Sequence, residues 1–328
     1  MSQKSRTSGD VALASLGFKL GGVGEAASSP LQFDDNRRFR VEIPSVEGPA
    51  AFSAVLEAAD EFGVKVDRIS QGSGVMMLLD AEIREMLELG KAHDVEVCLF
   101  LGPRGSWDIG GQATSSSGHA VASALRGHEQ LSAAIEEVVH GAELGLRCVL
   151  VADAGLLWTL GRLRSAGDLP PDLKFKMSAS YPISNPATAA MLEGMGADSL
   201  NISVDLTVSQ MAGIRSAVSI PLDVYVEAPD DFGSPVRFHE VAEMVRVASP
   251  IYLKFAVRNS PSLYPAGRHL RSILLDTAKE RVRRAALALQ VLERYSAAKD
   301  AVPFYAGYDS NIRASVLENE QSMNVRGR

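Results

Sequence analysis

From Phe39 onward the chain alternates short apolar runs with longer segments in which apolar residues return every three or four positions. The runs are RFRVEIP (38–44), KVDRISQ (65–71), VEVCLFL (95–101), RCVLVAD (147–153), LKFKMSA (173–179), DSLNISVD (198–205), PLDVYVE (221–227) and PIYLKFAV (250–257). Between them lie helix-like stretches such as GPAAFSAVLEAADEFG, DAEIREMLELGKAH, HEQLSAAIEEVVHGAELG and RFHEVAEMVRVA, and a long one closes the series at about 273–297. Strand-like and helix-like segments in this order mark parallel βαβ units, and eight strands close a small barrel. The pattern predicts an α/β protein: a (β/α)8 TIM barrel over 37–298, with an N-terminal arm (1–36) and a C-terminal tail (299–328). Gly63, Gly90, Gly145 and Gly196 each follow a helical pattern and precede a run, and are expected as helix C-caps.

In a closed barrel, residues at i and i+2 share a side of the strand. Placing the apolar set against the helices sends Arg40 and Glu42 inward from the first run and Lys174, Lys176 and Ser178 from the fifth. Asn201, Ser203 and Asp205 follow from the sixth, Asp223, Tyr225 and Glu227 from the seventh, and Tyr252, Lys254, Ala256 and Arg258 from the eighth. Buried charges must be paired, solvated or bound to an ion, and this inventory is nearly balanced. Arg40, Lys174 and Asp223, early in their strands, read as internal ion pairs at the stable end. Glu42, Lys176, Asp205, Glu227 and Lys254 lie nearer the C-terminal ends, where barrel enzymes carry their chemistry.

The connections after the strands add to the same rim. Ser70–Val75 is a glycine-bearing turn containing Gln71. Gly102–Gly118 is long enough for a lid, with Arg104 as a carboxylate clamp and Trp107 as a flat cover. Arg258 and Asn259 follow the eighth strand. The expected catalytic set is Lys254, Lys176, Glu42 and Glu227, and the expected substrate-binding set is Arg104, Trp107, Gln71, Asn201, Arg258 and Asn259. A lysine inside a barrel facing another cation can serve as a base or as an amine nucleophile toward a carbonyl. The carboxylates Asp153, Asp205 and Glu227 suggest a site for Mg²⁺ or Mn²⁺. The histidines stand away from the strand ends, which disfavours zinc.

Composition narrows the partners. The 328 residues carry a formal net charge of -7, and the basic groupings are short, so no nucleic-acid surface is expected. No run approaches a membrane span, and the beginning lacks the apolar segment of an export signal. Cys98 and Cys148, both in apolar runs, fit buried free thiols, and a cytoplasmic location is expected. Nucleotide-binding loops of the GxGxxG and GxxxxGK[ST] kinds and the GxSxG elbow are missing.

The segments FRVEIPSVEGP, VDRISQGSGVMMLLDAEIREM, VCLFLGPRG, PLDVYVEAPDD and YLKFAVRNSPSLYPAG resemble the barrel proteins of the peptidase family U32 type, and the likeness runs over about 38–295 as strand order and turn placement. That resemblance implies a barrel and, for various members, peptidase action or RNA or quinone modification with a cysteine-held iron–sulfur cluster. Two cysteines cannot supply four thiolates, so no such cluster is expected here. The leading expectation is a lyase- or isomerase-type enzyme using lysine and carboxylate chemistry on a small polar carbonyl or carboxylate metabolite. The alternatives are a U32-like hydrolase or peptidase, with or without a carboxylate-bound metal, and a non-catalytic ligand-binding barrel. A homo-oligomer is the default assembly for such folds.

Overall fold

The structure, a computed structural model, describes residues 8–18, 26–102, 115, 123–261 and 263–298. The expected barrel is present: eight parallel strands close in sequence order, β1 against β8. They are β1 (Phe39–Pro44), β2 (Arg68–Gln71), β3 (Glu96–Phe100), β4 (Cys148–Val151), β5 (Lys174–Met177), β6 (Ser199–Asn201), β7 (Leu222–Glu227) and β8 (Ile251–Phe255). The helices are α1 (Ser8–Ser15) before the barrel, then α2 (Pro49–Phe62), α3 (Asp80–His93), α4 (Gly127–Glu143), α5 (Ala154–Ala166), α6 (Pro186–Gly194), α7 (Val208–Arg215), α8 (Val241–Ala248) and α9 (Arg271–Ala298). Among the described residues, no helix is long and apolar enough to cross a membrane.

Alternation along the strands sorts the side chains as the sequence predicts. Val41, Ile43, Ile69, Val97, Leu99, Val149, Phe175, Met177, Leu200, Val224 and Leu253 point out and form the main core with the helices. The residues that alternate with them turn inward. α9 packs on α2 and against β1 and β8, and its row of buried Ala278, Val282, Ala285 and Ala288 lets it lie close.

Local chemistry accounts for the helix boundaries. Gly63 ends α2 in the left-handed conformation, with φ 64°, as expected of a C-cap. Gly90 is a correction: it lies inside α3, and Asp94 takes the left-handed cap position instead. Its small size is needed because a Cβ there would stand 2.7 Å from the Val95 carbonyl oxygen. The helix therefore crosses the start of β3 at backbone contact.

The two ends of the barrel are covered differently. At the N-terminal end, Ser29 donates its backbone N–H to the Arg246 carbonyl (2.8 Å), and the Phe33 ring meets Tyr252 edge-on at 5.3 Å. The last part of the expected arm thus lies against the barrel floor. At the other end, the connection from β8 to α9 crosses the rim. Tyr264 lies against Gly72, where a Cβ would meet its ring at 2.3 Å, and Ala266 donates its N–H to Ser73 Oγ (2.8 Å). The expected lid residues Arg104 and Trp107, and the tail at 299–328, lie outside the described residues.

Candidate active site

Glu42, fully buried, is the centre of the barrel interior. Lys176 Nζ donates to its Oε2, Lys254 Nζ stands 3.2 Å from Oε1, and Arg68 Nη1 lies 3.2 Å from Oε2. Ser70 Oγ donates to Oε1 at 2.7 Å. Asp223, also fully buried, takes Arg68 Nη1 at 2.9 Å and Ser199 Oγ at 2.9 Å, with Lys176 Nζ 3.6 Å away. With its amide oriented to donate to the Asp223 carbonyl (3.3 Å), Asn201 accepts a hydrogen bond from Lys254 Nζ at 2.7 Å. Lys254 also lies 4.5 Å from the Tyr225 ring centroid, and the Arg68 guanidinium is 3.6 Å from that of Tyr252. Six strands contribute, so the cluster exists only in the closed barrel.

Electrostatics in this interior are set by competition between burial and neighbours. Burial pushes the Glu42 carboxyl up, but Lys176, Lys254 and Arg68 outweigh it and hold the group well below the usual carboxylate range. Glu96, which accepts from Arg68 Nε at 2.5 Å and Lys174 Nζ at 2.6 Å, shows the same contest and ends at about 2. Tyr252 is pushed up to about 12, chiefly by burial. Three buried cations, Arg68, Lys176 and Lys254, share two buried carboxylates, Glu42 and Asp223. Glu96 adds a third carboxylate, paired with Arg68, and the more exposed Lys174 reaches it from the floor.

A second polar group lies at the rim. Glu47 accepts from the backbone N–H groups of Gly72 (2.6 Å) and Ser73 (3.1 Å), tying the β1 and β2 connections together. Burial raises its carboxyl above the ordinary range, against those hydrogen bonds. The Tyr264 hydroxyl shares a hydrogen bond with Ser45 Oγ, and Arg281 of α9 donates from Nη1 to the Ser45 carbonyl at 3.2 Å. Burial pushes the Tyr225 phenol up, with Glu42 adding to the rise and Lys176 and Arg281 opposing it.

The structure brings together Glu42, Lys176, Lys254 and Asn201 of the expected set. Glu227 does not join them. The pairing of β7 with β8 shifts register between Tyr225 and Glu227, so that Tyr225 opposes Lys254 but Glu227 opposes the outward-facing Phe255. A β-bulge of this kind puts one extra residue in the strand and turns the residues beyond it to the other face. Glu227 therefore accepts the Arg258 N–H at 3.2 Å and lies 3.5 Å from Arg284 Nε of α9. Gln71 is buried, and its amide is spent on Gly74, accepting from its N–H and donating to its carbonyl, both at 3.0 Å. Arg258 and Asn259 are exposed, and Asn259 donates its N–H to Asp230 Oδ2 at 2.7 Å.

The expected metal carboxylates do not meet either. Asp153 caps α5 by accepting from Leu156 N at 2.9 Å, Asp205 is exposed, and Glu227 faces α9. Among the described residues, no group of three or more His, Cys, Asp or Glu is arranged to hold a metal ion. The three carboxylates are therefore not placed to share Mg²⁺ or Mn²⁺.

Arg68 is the interior residue that strand alternation alone misses. In KVDRISQ the apolar residues Val66 and Ile69 have opposite parity, so the run does not say which side faces in. Its register opposite Glu42 and Glu96 settles the matter.

Fold and interior together define a (β/α)8 barrel protein with a charged, fully enclosed cluster. Residues 116–228 match the model of Peptidase family U32, and the chain resembles that family. Among solved structures, the U32 peptidase Mk0906 is similar at 19% identity and TM-score 0.38, over 60% of this chain and 72% of that one. A putative lyase/mutase from Burkholderia cenocepacia J2315 is similar at 14% identity and TM-score 0.39, over 85% of this chain and 91% of that one. YagE from E. coli K12, of the dihydrodipicolinic acid synthase family and in complex with pyruvate, shows 14% identity and TM-score 0.40, over 81% and 84%. These likenesses are of the fold. No curated protein matches the chain.

Proposed function

We propose that the protein is a lyase- or isomerase-type enzyme in which Lys254 acts as an amine on a small polar carbonyl compound. The observation that carries this reading is the placing of Lys254: it is buried, its Nζ stands 3.2 Å from Glu42 Oε1 and 2.7 Å from the reoriented Asn201 amide oxygen, and Lys176 shares the same carboxylate. Asn201 and Glu42 orient the nitrogen from one side, and the Tyr225 ring covers another.

The lysine nitrogen adds its lone pair to the carbonyl carbon, and the carbonyl π pair moves to oxygen. That oxygen leaves as water, carrying one proton from the amine and one delivered from Lys176. The iminium keeps one N–H, and the positive charge passes from Lys176 to the new C=N bond. An iminium draws electrons from a neighbouring C–H or C–C bond, which is the basis of isomerase and lyase chemistry. Glu42, bridging both lysines, stays the fixed counter-charge throughout.

The test is reduction with borohydride in the presence of a panel of small aldehydes, ketones and oxo acids, followed by peptide mass spectrometry. An adduct on the peptide carrying Lys254, absent in Lys254→Met, is the expected result. A Lys254→Met variant with full turnover on an identified substrate would overturn the proposal.

The family match over 116–228 favours a second reading, a U32-like hydrolase or peptidase. Cleavage within a peptide and amide library, lost in a Glu42→Gln variant that still folds, would establish it over the first. The same library left intact removes it.

A further inference from the structure

We infer that Arg281 forms a carboxylate-binding subsite at the barrel mouth, so that the substrate is a small oxo acid held by its carboxylate beside Ser45 and Tyr264. This rests on the lysine chemistry proposed above and specifies the substrate class for it.

Arg281 belongs to an outer helix, yet it is 2% exposed. Its hydrogen bond to the Ser45 carbonyl leaves Nε without a partner, and among the described residues it has no ion pair with a carboxylate. Glu47 acts on it through space, but both Glu47 oxygens are occupied by the Gly72 and Ser73 N–H groups. A guanidinium enclosed with so little compensation is costly, and burial lowers its proton affinity despite Tyr264, Glu47 and Tyr225 nearby.

Arg215, also buried with an unbonded Nε, stands elsewhere and donates to Val218 at the end of α7. Arg281 instead lies at the rim, hydrogen-bonded to the carbonyl of Ser45 just past Glu42, and within electrostatic reach of Tyr225, whose ring centroid is 4.5 Å from Lys254 Nζ. In the proposed pose a compound spans from Arg281 past Tyr225 to Lys254. The planar fork of a guanidinium matches a carboxylate, and the Ser45 and Tyr264 hydroxyls flank the same spot. Carboxylate at Arg281 and carbonyl at Lys254 are the two functions of an oxo acid.

The experiment separates anion binding from lysine chemistry. The full-length protein is titrated with propionate, which has no carbonyl to react, and with propionamide as the neutral control, using ligand-observed NMR. Wild type is expected to saturate with propionate and not with propionamide. Arg281→Met should weaken propionate binding at least roughly tenfold, with Arg281→Lys intermediate because it keeps the charge but loses the fork. Tyr264→Phe, a milder change, should weaken it about two- to fivefold, and it decides the matter together with Arg281→Lys if Arg281→Met does not fold.

Lys254→Met should still bind propionate. Wild type that does not saturate, or Arg281 variants that bind as wild type does, overturn the subsite. If propionate binds through Arg281 while 2-oxobutyrate yields no borohydride-reducible adduct, the lysine chemistry fails and the carboxylate subsite stands.

Discussion

The barrel interior is divided between two ways of filling the same kind of position. On β3 and β4 the inward residues Cys98, Phe100, Cys148, Leu150 and Ala152 form a small apolar cluster. On β1, β2 and β5 to β8 the equivalent positions hold Glu42, Arg68, Lys176, Asn201, Asp223 and Lys254. Replacing buried ion pairs with apolar residues of similar volume is often neutral or stabilising, and the β3–β4 sector shows that this barrel accommodates such filling. The charged sector is therefore retained against an available alternative, and stability alone does not account for it.

The largest effect that can break this contrast is at its centre. Glu42→Gln leaves Lys176, Lys254 and Arg68 without their shared counter-charge and is expected to cost about 3–5 kcal/mol in urea unfolding. The pH dependence gives the same test its sign. Glu42 and Glu96 both titrate in the folded protein below their ordinary value near 4.5, so below that pH the unfolded chain binds more protons. Their contribution is present above pH 4.5 and fades as pH falls, for Glu96 through about 2. Glu42→Gln should flatten this acid limb. An unchanged limb would mean that Glu42 is not held in its charged form.

Next comes Lys254→Met, which removes the reacting amine. Turnover should fall at least about a hundredfold while urea unfolding moves by less than about 1 kcal/mol, because Glu42 keeps Lys176 and Arg68 as partners. A large loss of stability with turnover intact would make Lys254 a structural residue. In the apolar sector, Cys148→Ala should cost about 1 kcal/mol through a small cavity and leave the acid limb untouched. Burial already pushes the Cys148 thiol up, so its alkylation in the native protein at pH 8 should be slow.

The smallest change is expected at Glu227. Arg284, half-buried and also 3.0 Å from Glu280, is not left alone by Glu227→Gln. Stability should shift by about 1 kcal/mol or less, with turnover within about threefold of wild type. A hundredfold loss of turnover would return Glu227 to the active cluster.

Strand alternation carried much of this interior in the sequence. Glu42, Lys176 and Lys254 are flanked by apolar residues of the opposite parity, so their inward direction could be read directly. Glu227 shows where the rule stops: the bulge after Tyr225 has no glycine or proline to announce it, and one unpaired residue reverses the face of everything beyond. Asp223 reads as a floor residue by its place in β7, yet barrel shear brings it to Lys176 and Arg68. Arg281 was hidden for another reason. It belongs to a helix rich in charged residues, and only the three-dimensional path of α9 past Ser45 distinguishes it from its solvated neighbours.

The stretch from Ser29 to Arg37 shields the floor of the barrel. Phe33 is seated against Tyr252, and Arg40 stacks 4.2 Å from the Phe33 ring centroid, over the N-terminal side of the charged interior. Water drawn in from below would raise the local dielectric and weaken every attraction to Glu42. A chain begun after residue 36 would thus lose the dryness on which its inner charges depend, although no inward-facing side chain of the cluster had been altered.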